Sequence, residues 1–280
     1  MMFRFVILSL ASLALALGVY SGAHAQPLVA FSFDDGFNAA GNNQAAIHYN
    51  NSVLNTLRKH GIKAILFPLG VLADNPDTMA LVRAWGEQGH AIGNHSYSHN
   101  ALSATDTHSY LDDLKRAENL LKHVPGWCLR LRFPYLDEGK TPAQHAEMLR
   151  WLAQEGYGVA SATISVPDWE LTKHYELLLK NADTKGAKAF LNSYVGQVIE
   201  QAQTQEKHWQ TVLKRSPAHV VLLHTNPLNA DALPSIIETL KRNGWRIIDP
   251  GTAFTDPIYQ RVLVPESAAG PAVMLPVPNC

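Results

Sequence analysis

Leu28-Val29-Ala30-Phe31-Ser32-Phe33, followed at once by Asp34-Asp35-Gly36, is a short apolar run closed by turn residues. A run of this length bounded in this way reads as a buried strand. Working outward, the same unit recurs. Residues 51–60 read as a helix with Gly61 in the C′ position. Residues 63–69 are strand-like, and 76–88 form a helix with Pro76 near its start and Gly89 just past its end. Ala91-Ile92-Gly93-Asn94 is a short strand leading into a histidine cluster. Residues 106–122 carry Leu111, Leu114, Ala117, Leu120 and Leu121 at helical spacing. A strand at 129–133, a helix at 142–155 and a strand at 157–160 come next. After an interruption, a strand at 219–223, a helix at 233–243 and a strand at 245–248 complete the series.

Alternation of short apolar runs with amphipathic helices predicts β/α units around a parallel sheet. The expectation is an α/β fold: one (β/α) barrel, incomplete or distorted, spanning 26–255. The interruption at 171–215 is mostly polar and helical, and reads as a helical insertion before the last strands. An insertion beside a barrel mouth can shape or cover the cleft. The Pro-rich end, 256–280, is expected to be an irregular tail.

Composition excludes some functions. The chain has 280 residues, 46% of them hydrophobic and 17% charged, with a formal net charge of −1. No basic excess is available to neutralise phosphates, which argues against a nucleic-acid partner. Residues 1–25 read as a signal peptide: Arg4 gives a positive start, 5–19 is almost wholly apolar, and Ala23-His24-Ala25 has the small-x-small pattern of a cleavage site. The apolar run of about 15 residues is short of the ~20 a bilayer span needs, a retained membrane anchor being the other reading. The expectation is export to a periplasm or beyond the cell, a mature start at Gln26, and no membrane span after cleavage. Cys128 and Cys280 could pair in an oxidising compartment. Cys128 opens an apolar segment and reads as buried rather than reactive. The sequence sets no oligomeric state.

Polar groups gather at strand ends, where barrel chemistry resides. Asp34 and Asp35 close the first strand; side chains alternate along a strand, so one carboxylate could hold a cation while the other faces a water bound to it. Asp-Asp-Gly is equally ordinary turn chemistry. His95 and His99, spaced i, i+4, would share one face of a helical turn and converge on a cation; two surface histidines among 13 is the plainer reading. Arg132-Phe133-Pro134-Tyr135 ends the fourth strand, and an arginine beside a carboxylate orients it and favours its charge. Asp168-Trp169 follows Val166-Pro167, where Trp169 could line a pocket or belong to the core. Leu222-Leu223-His224 ends the next regular strand, and a histidine there is a candidate general acid. Each signal alone is weak; five in order suit metal-assisted hydrolysis.

With those residues in view, the chain resembles the polysaccharide deacetylases, which share the NodB homology domain (carbohydrate esterase family 4). Five ordered motifs carry the resemblance: Ser32-Phe33-Asp34-Asp35-Gly36, His95-Ser96-Tyr97-Ser98-His99, Arg132-Phe133-Pro134-Tyr135, Asp168-Trp169 and Leu222-Leu223-His224. It covers roughly residues 28–254. Ser32 stands where the family often has Thr, and the insertion is longer than in compact members. The resemblance implies that Asp35, His95 and His99 hold one divalent metal. It implies Asp34 as general base held by Arg132, the Tyr135 backbone N–H as an oxyanion donor, and His224 as general acid tuned by Asp168. Trp169 and Leu222 would line the pocket for the acetyl methyl. Zn2+ suits the His/His/Asp donor set, and Co2+, Ni2+ or Mn2+ could occupy it. The implied activity is hydrolytic removal of acetyl groups from a carbohydrate, with N-deacetylation of an N-acetylglucosamine-containing glycan foremost. An O-acetyl (xylan-type) esterase would use the same residues. A catalytically silent secreted glycan-binding module would keep the fold without them.

Overall fold

The computed structural model describes residues 26–263, 273–278 and 280. The signal-peptide reading of 1–25 falls outside the described residues. Strand β1 (Leu28–Asp35) is followed by helix α1 (Gln44–His60), β2 (Ala64–Pro68), α2 (Gly70–Ala73), α3 (Pro76–Glu87) and β3 (Ala91–Asn94). Then come α4 (Thr107–Leu121), β4 (Trp127–Leu131), α5 (Pro142–Glu155), β5 (Gly158–Val159) and β6 (Ile164–Ser165). Two consecutive helices, α6 (Asp168–Lys180) and α7 (Thr184–Leu213), precede β7 (Ala218–His224), α8 (Pro227–Arg242), β8 (Arg246–Ile247) and α9 (Pro250–Ala253).

All these strands pair in parallel in the order β5-β4-β3-β2-β1-β7-β6, with β8 also beside β1. The sheet curls but does not close, because β5 and β6 are its two ends. This is the incomplete (β/α) barrel expected.

Period-2 alternation decides what β1 presents. Val29, Phe31 and Phe33 face outward into a core with Leu54 and Leu57 of α1 and Ile236 and Ile237 of α8. Burying each such phenylalanine contributes about 1.5–3 kcal/mol. Ala30 faces the other way, against Ile65, Phe67 and Val220, with Phe254 and Tyr259 in the same cluster. Ser32 and Asp34 continue that inner row, and the register sets Ser32 opposite Leu222 and Asp34 opposite His224. The inner row is therefore apolar at one end and polar at the C-terminal end of the strands.

Several boundaries differ from expectation for local reasons. Helix α1 begins seven residues early, at Gln44, because the Asn43 side chain accepts from the backbone N–H of Ala45 and Ala46; its end matches, with Gly61 at φ 66°. Strand β6 was not foreseen, since two residues carry no periodicity. The insertion at 171–215 resolves into most of α6 and all of α7. The tail is not wholly irregular: a 3-10 turn at Pro257–Tyr259 leads to an antiparallel pair, β9 (Val262–Leu263) and β10 (Val273–Met274). Cys280 is bonded to buried Cys128 with Cα atoms 5.4 Å apart. That link closes 152 residues of sequence, which chain entropy values at about 5 kcal/mol.

Candidate metal centre and catalytic cleft

Strand ends deliver the polar groups to one place. Asp34 and Asp35 come from β1, His95 from the end of β3, Arg132 from the end of β4, and His224 from β7. Asp168 is the first residue of α6, directly after β6. A cavity of about 390 Å3 is lined by Asp34, Asp35, His95, His99, Trp169 and His224, with Leu222, Tyr135, Leu136, Phe133 and Ser165 completing its wall. A second cavity of about 480 Å3 lies at the N-terminal end of the strands, around His60, Lys241 and Arg246, and gathers none of these groups.

One donor atom each from Asp35, His95 and His99 fall within 4.8 Å of one another. Asp35 Oδ1 lies 3.6 Å from His95 Nε2 and 3.8 Å from His99 Nε2. That oxygen is buried and has no hydrogen-bond partner, an expensive arrangement for a carboxylate unless a cation satisfies it. His95 Nδ1 sits 2.8 Å from the Arg132 carbonyl. A carbonyl can only accept, so Nδ1 carries the proton and Nε2 presents its lone pair toward Asp35. Burial holds the His95 pKa down at about 3 despite the pull of Asp35, so the ring is neutral, as a ligand must be. Two imidazoles and one carboxylate fit an open divalent site of the kind zinc occupies.

The histidines do not converge by helical spacing as expected. Residues 95–100 form an irregular loop, with Ser96 at φ 64° and His99 at φ 59°. Asp113 of α4 holds this loop by accepting from the N–H groups of Tyr97 and Ser98 (2.8 and 3.0 Å) and from the Ser98 hydroxyl (2.7 Å). Strict alternation of the two aspartates also fails. Asp35 is at φ 78°, and that turn leaves both carboxylates within 4 Å of His95 Nε2. Asp35, Ser96, His99, Tyr135 and Leu136 are five of eight non-glycine residues with positive φ among those described. Left-handed backbone costs roughly 1–3 kcal/mol per residue and gathers at functional sites; spacing in the sequence carries no sign of it.

Asp34 is buried beneath the cavity, with Arg132 Nε 3.8 Å from its Oδ1. Burial raises its pKa and the Arg132 charge works against that rise. Arg132 is itself fully buried, over the Phe67 ring, and its Nη2 donates to Ser32 Oγ at 2.8 Å. Ser32 in turn donates to the Val221 carbonyl. A hydroxyl is all this link requires, so serine serves at that position.

Across the cavity, His224 Nδ1 donates to Asp168 Oδ1 at 2.6 Å, and the His224 backbone N–H donates to Asp168 Oδ2 at 2.7 Å. Burial alone would lower the His224 pKa. The hydrogen bond and charge of Asp168, with the charges of Asp34 and Asp35, outweigh it and raise the pKa to about 9. His224 is therefore protonated at neutral pH, and Nε2 is its free end. Trp169 packs edge-on to the His224 ring at 5.3 Å and is 46% exposed, so it belongs to the cavity wall rather than the core. The Tyr135 ring rests on His99, with centroids 4.6 Å apart.

Every residue singled out in the sequence belongs to this cluster or directly supports it. Sequence reasoning missed Asp113, Leu136 and Ser165. No residue of 171–215 lines the cavity. Instead α7 packs against α6 and α8, which corrects the expectation that the insertion shapes or covers the cleft.

Comparison with known proteins agrees with this architecture. The family model for polysaccharide deacetylase matches residues 21–149. The chain is 26% identical over 223 residues to a peptidoglycan-N-acetylglucosamine deacetylase of Bacillus cereus, covering 79% of this chain and 72% of that protein. Its fold matches the crystal structure of a peptidoglycan N-acetylglucosamine deacetylase with TM-score 0.56 at 22% identity, covering 83% of this chain and 90% of that one. It equally matches a CE4 family pseudoenzyme from Bacillus anthracis, with TM-score 0.56 at 16% identity, covering 80% and 63%. Fold alone thus carries no activity, and the residues must. In the segment its family model matches, in its relatives and in its fold, the chain is similar to the polysaccharide deacetylases.

Proposed function

We propose that this chain is a metal-dependent hydrolase that removes acetyl groups from a carbohydrate, acting on N-acetylglucosamine units of a polysaccharide or oligosaccharide. The observation that carries the reading is one cavity holding the Asp35/His95/His99 cluster between a buried carboxylate, Asp34, and a protonated histidine, His224. A base and an acid whose environments push them to opposite tasks are what acyl hydrolysis needs. The relatives' names supply the sugar.

A divalent cation held by Asp35, His95 and His99 would supply Lewis-acid polarisation of the acetyl carbonyl and make water a better nucleophile at neutral pH. Zinc suits the donors, with cobalt, nickel or manganese as substitutes. Asp34, oriented by Arg132, accepts the proton of the attacking water. Tyr135 is a residue of the cavity wall with left-handed backbone, and its backbone N–H donates to the oxygen that becomes negative. His224, held by Asp168, gives its Nε2 proton to the departing nitrogen as the C–N bond breaks. Acetate and a free amine result. Trp169 and Leu222 flank the acetyl methyl.

An O-acetyl ester would meet the same machinery. The raised pKa of His224 favours the amide, whose nitrogen leaves only when protonated. A silent glycan-binding module would have no need of the strained, orphaned carboxylate cluster. Export fits the Cys128–Cys280 disulfide, since such bonds persist in oxidising compartments, and no helix among the described residues is long and apolar enough to cross a membrane. Replacing His224 by alanine tests the scheme. N-acetyl turnover should fall about 10²–10⁴-fold, and parent-like turnover would remove the histidine from it.

A further inference from the structure

Behind the acid pair lies a second layer that the reaction scheme does not use. Asn229 is fully buried three residues into α8, where the Asn226 side chain caps its backbone N–H at 2.8 Å. Its Nδ2 donates to Asp168 Oδ2, and also to the His224 carbonyl at 2.8 Å. Both of those partners are acceptors only, which fixes that end of the amide as nitrogen. Oδ1 then points the other way and accepts from the Tyr194 hydroxyl at 2.5 Å. Tyr194 is fully buried on α7, the helix of the insertion.

The chain of donors runs one way: Tyr194 O–H to Asn229, Asn229 N–H to Asp168, with Asp168 accepting the ring N–H of His224. The Tyr194 hydroxyl donates a hydrogen bond to the Asn229 amide oxygen. Without it, the buried amide oxygen is left unsatisfied and the far end of the Asn229 side chain loses the contact that holds it against Asp168. A fully connected buried network of this kind specifies one arrangement, and a partly satisfied one does not.

We propose that Tyr194, acting through Asn229, is a positioning residue for the acid side of the site, so that the inserted helix α7 serves to hold the Asp168–His224 pair in register with the cleft. The proposal rests on the reading of His224 as proton donor to the leaving group.

The leaving group supplies the test. N-acetyl substrates need a proton on the departing nitrogen, whereas 4-nitrophenyl acetate expels a stable phenolate without one. Tyr194→Phe and Asn229→Ala would be compared with the parent, each loaded with zinc, on N-acetylated chitooligosaccharide and on 4-nitrophenyl acetate. The result expected is a fall in kcat on the N-acetyl substrate of roughly tenfold for Tyr194→Phe and more for Asn229→Ala, with KM held and aryl acetate turnover within about twofold. Equal losses on both substrates, or no loss on either, would overturn the proposal, the first by showing general structural damage.

A second measurement needs no turnover. In the metal-free chain, the short His224 Nδ1–H hydrogen bond should give a far-downfield proton signal, assigned by its loss in His224→Gln. Tyr194→Phe should shift or broaden that signal, and an unmoved signal overturns the proposal. A parent chain inactive on the N-acetyl substrate would count against the function proposed above, while the proton signal would still decide the role of Tyr194.

Discussion

Replacing Asp168 by asparagine removes the charge that sets the state of His224. The folded-state pKa of His224 is raised from 6.5 to about 9 against the opposing effect of burial, chiefly by the hydrogen bond and charge of Asp168. The His224 side chain is only 17% exposed, so solvent screening removes little of this. The interval between those values corresponds to on the order of 3 kcal/mol. Because the folded pKa is the higher one, this stabilisation is fully present below pH 6.5 and is lost as pH rises through about 9. With asparagine in place, burial is opposed only by the charges of Asp34 and Asp35, and the pKa falls from about 9 toward its ordinary value. At pH 7.5 the protonated fraction would drop from about 97% in the parent.

Two assays follow. The alkaline limb of kcat/KM on an N-acetylated substrate should move down from near pH 9. Independently, the urea midpoint of the metal-free parent should decline between pH 6.5 and 9 more steeply than that of Asp168→Asn. Parallel stability curves together with an unmoved alkaline limb would refute the assignment of the raised pKa to this pair.

Other consequences can be read from the same geometry. Asp35→Ala removes the orphaned oxygen facing both histidines and should weaken zinc binding at least ~100-fold by equilibrium dialysis, since outer-sphere losses alone reach that scale; one tightly bound metal per chain in the variant would deny it the ligand role. Asp113→Ala frees the His95–His99 loop and should weaken zinc binding about 10–100-fold, with unchanged affinity showing that the loop needs no such tether. Cys280→Ser opens the long disulfide loop and should cost about 2–5 kcal/mol in chemical denaturation. Reductant should lower the parent's Tm and leave the variant's Tm unmoved.

Much of the site was legible because strand ends are easy to find and barrel geometry gathers them. Asp34, Asp35, Arg132 and His224 each follow an apolar run, and parallel pairing does the rest. The convergence of His95 and His99 was expected for the wrong physical reason. Their spacing suggested a helical turn, whereas left-handed residues Ser96 and His99, tethered by Asp113 from another element, bring the rings together. Strand β6, which leads to Asp168, is not legible because two residues show no period. The insertion looked like a cleft element because it is long and polar. Its buried side, with Tyr194, Val198 and Ala202, faces its helical neighbours instead. Asn229 and Tyr194 are ordinary residues in sequence, 35 positions apart, and only tertiary packing joins them to Asp168. The disulfide was a possibility that needed the fold to bring the last residue back to β4.

The measurement closest to the central claim is acetate release from N-acetylated chitooligosaccharides by the chain, before chelation, after chelation and after zinc is restored. The account predicts release that disappears with chelator and returns with zinc. Release that persists in fully metal-free protein would contradict it, as would glycan binding with no acetate produced under any divalent metal.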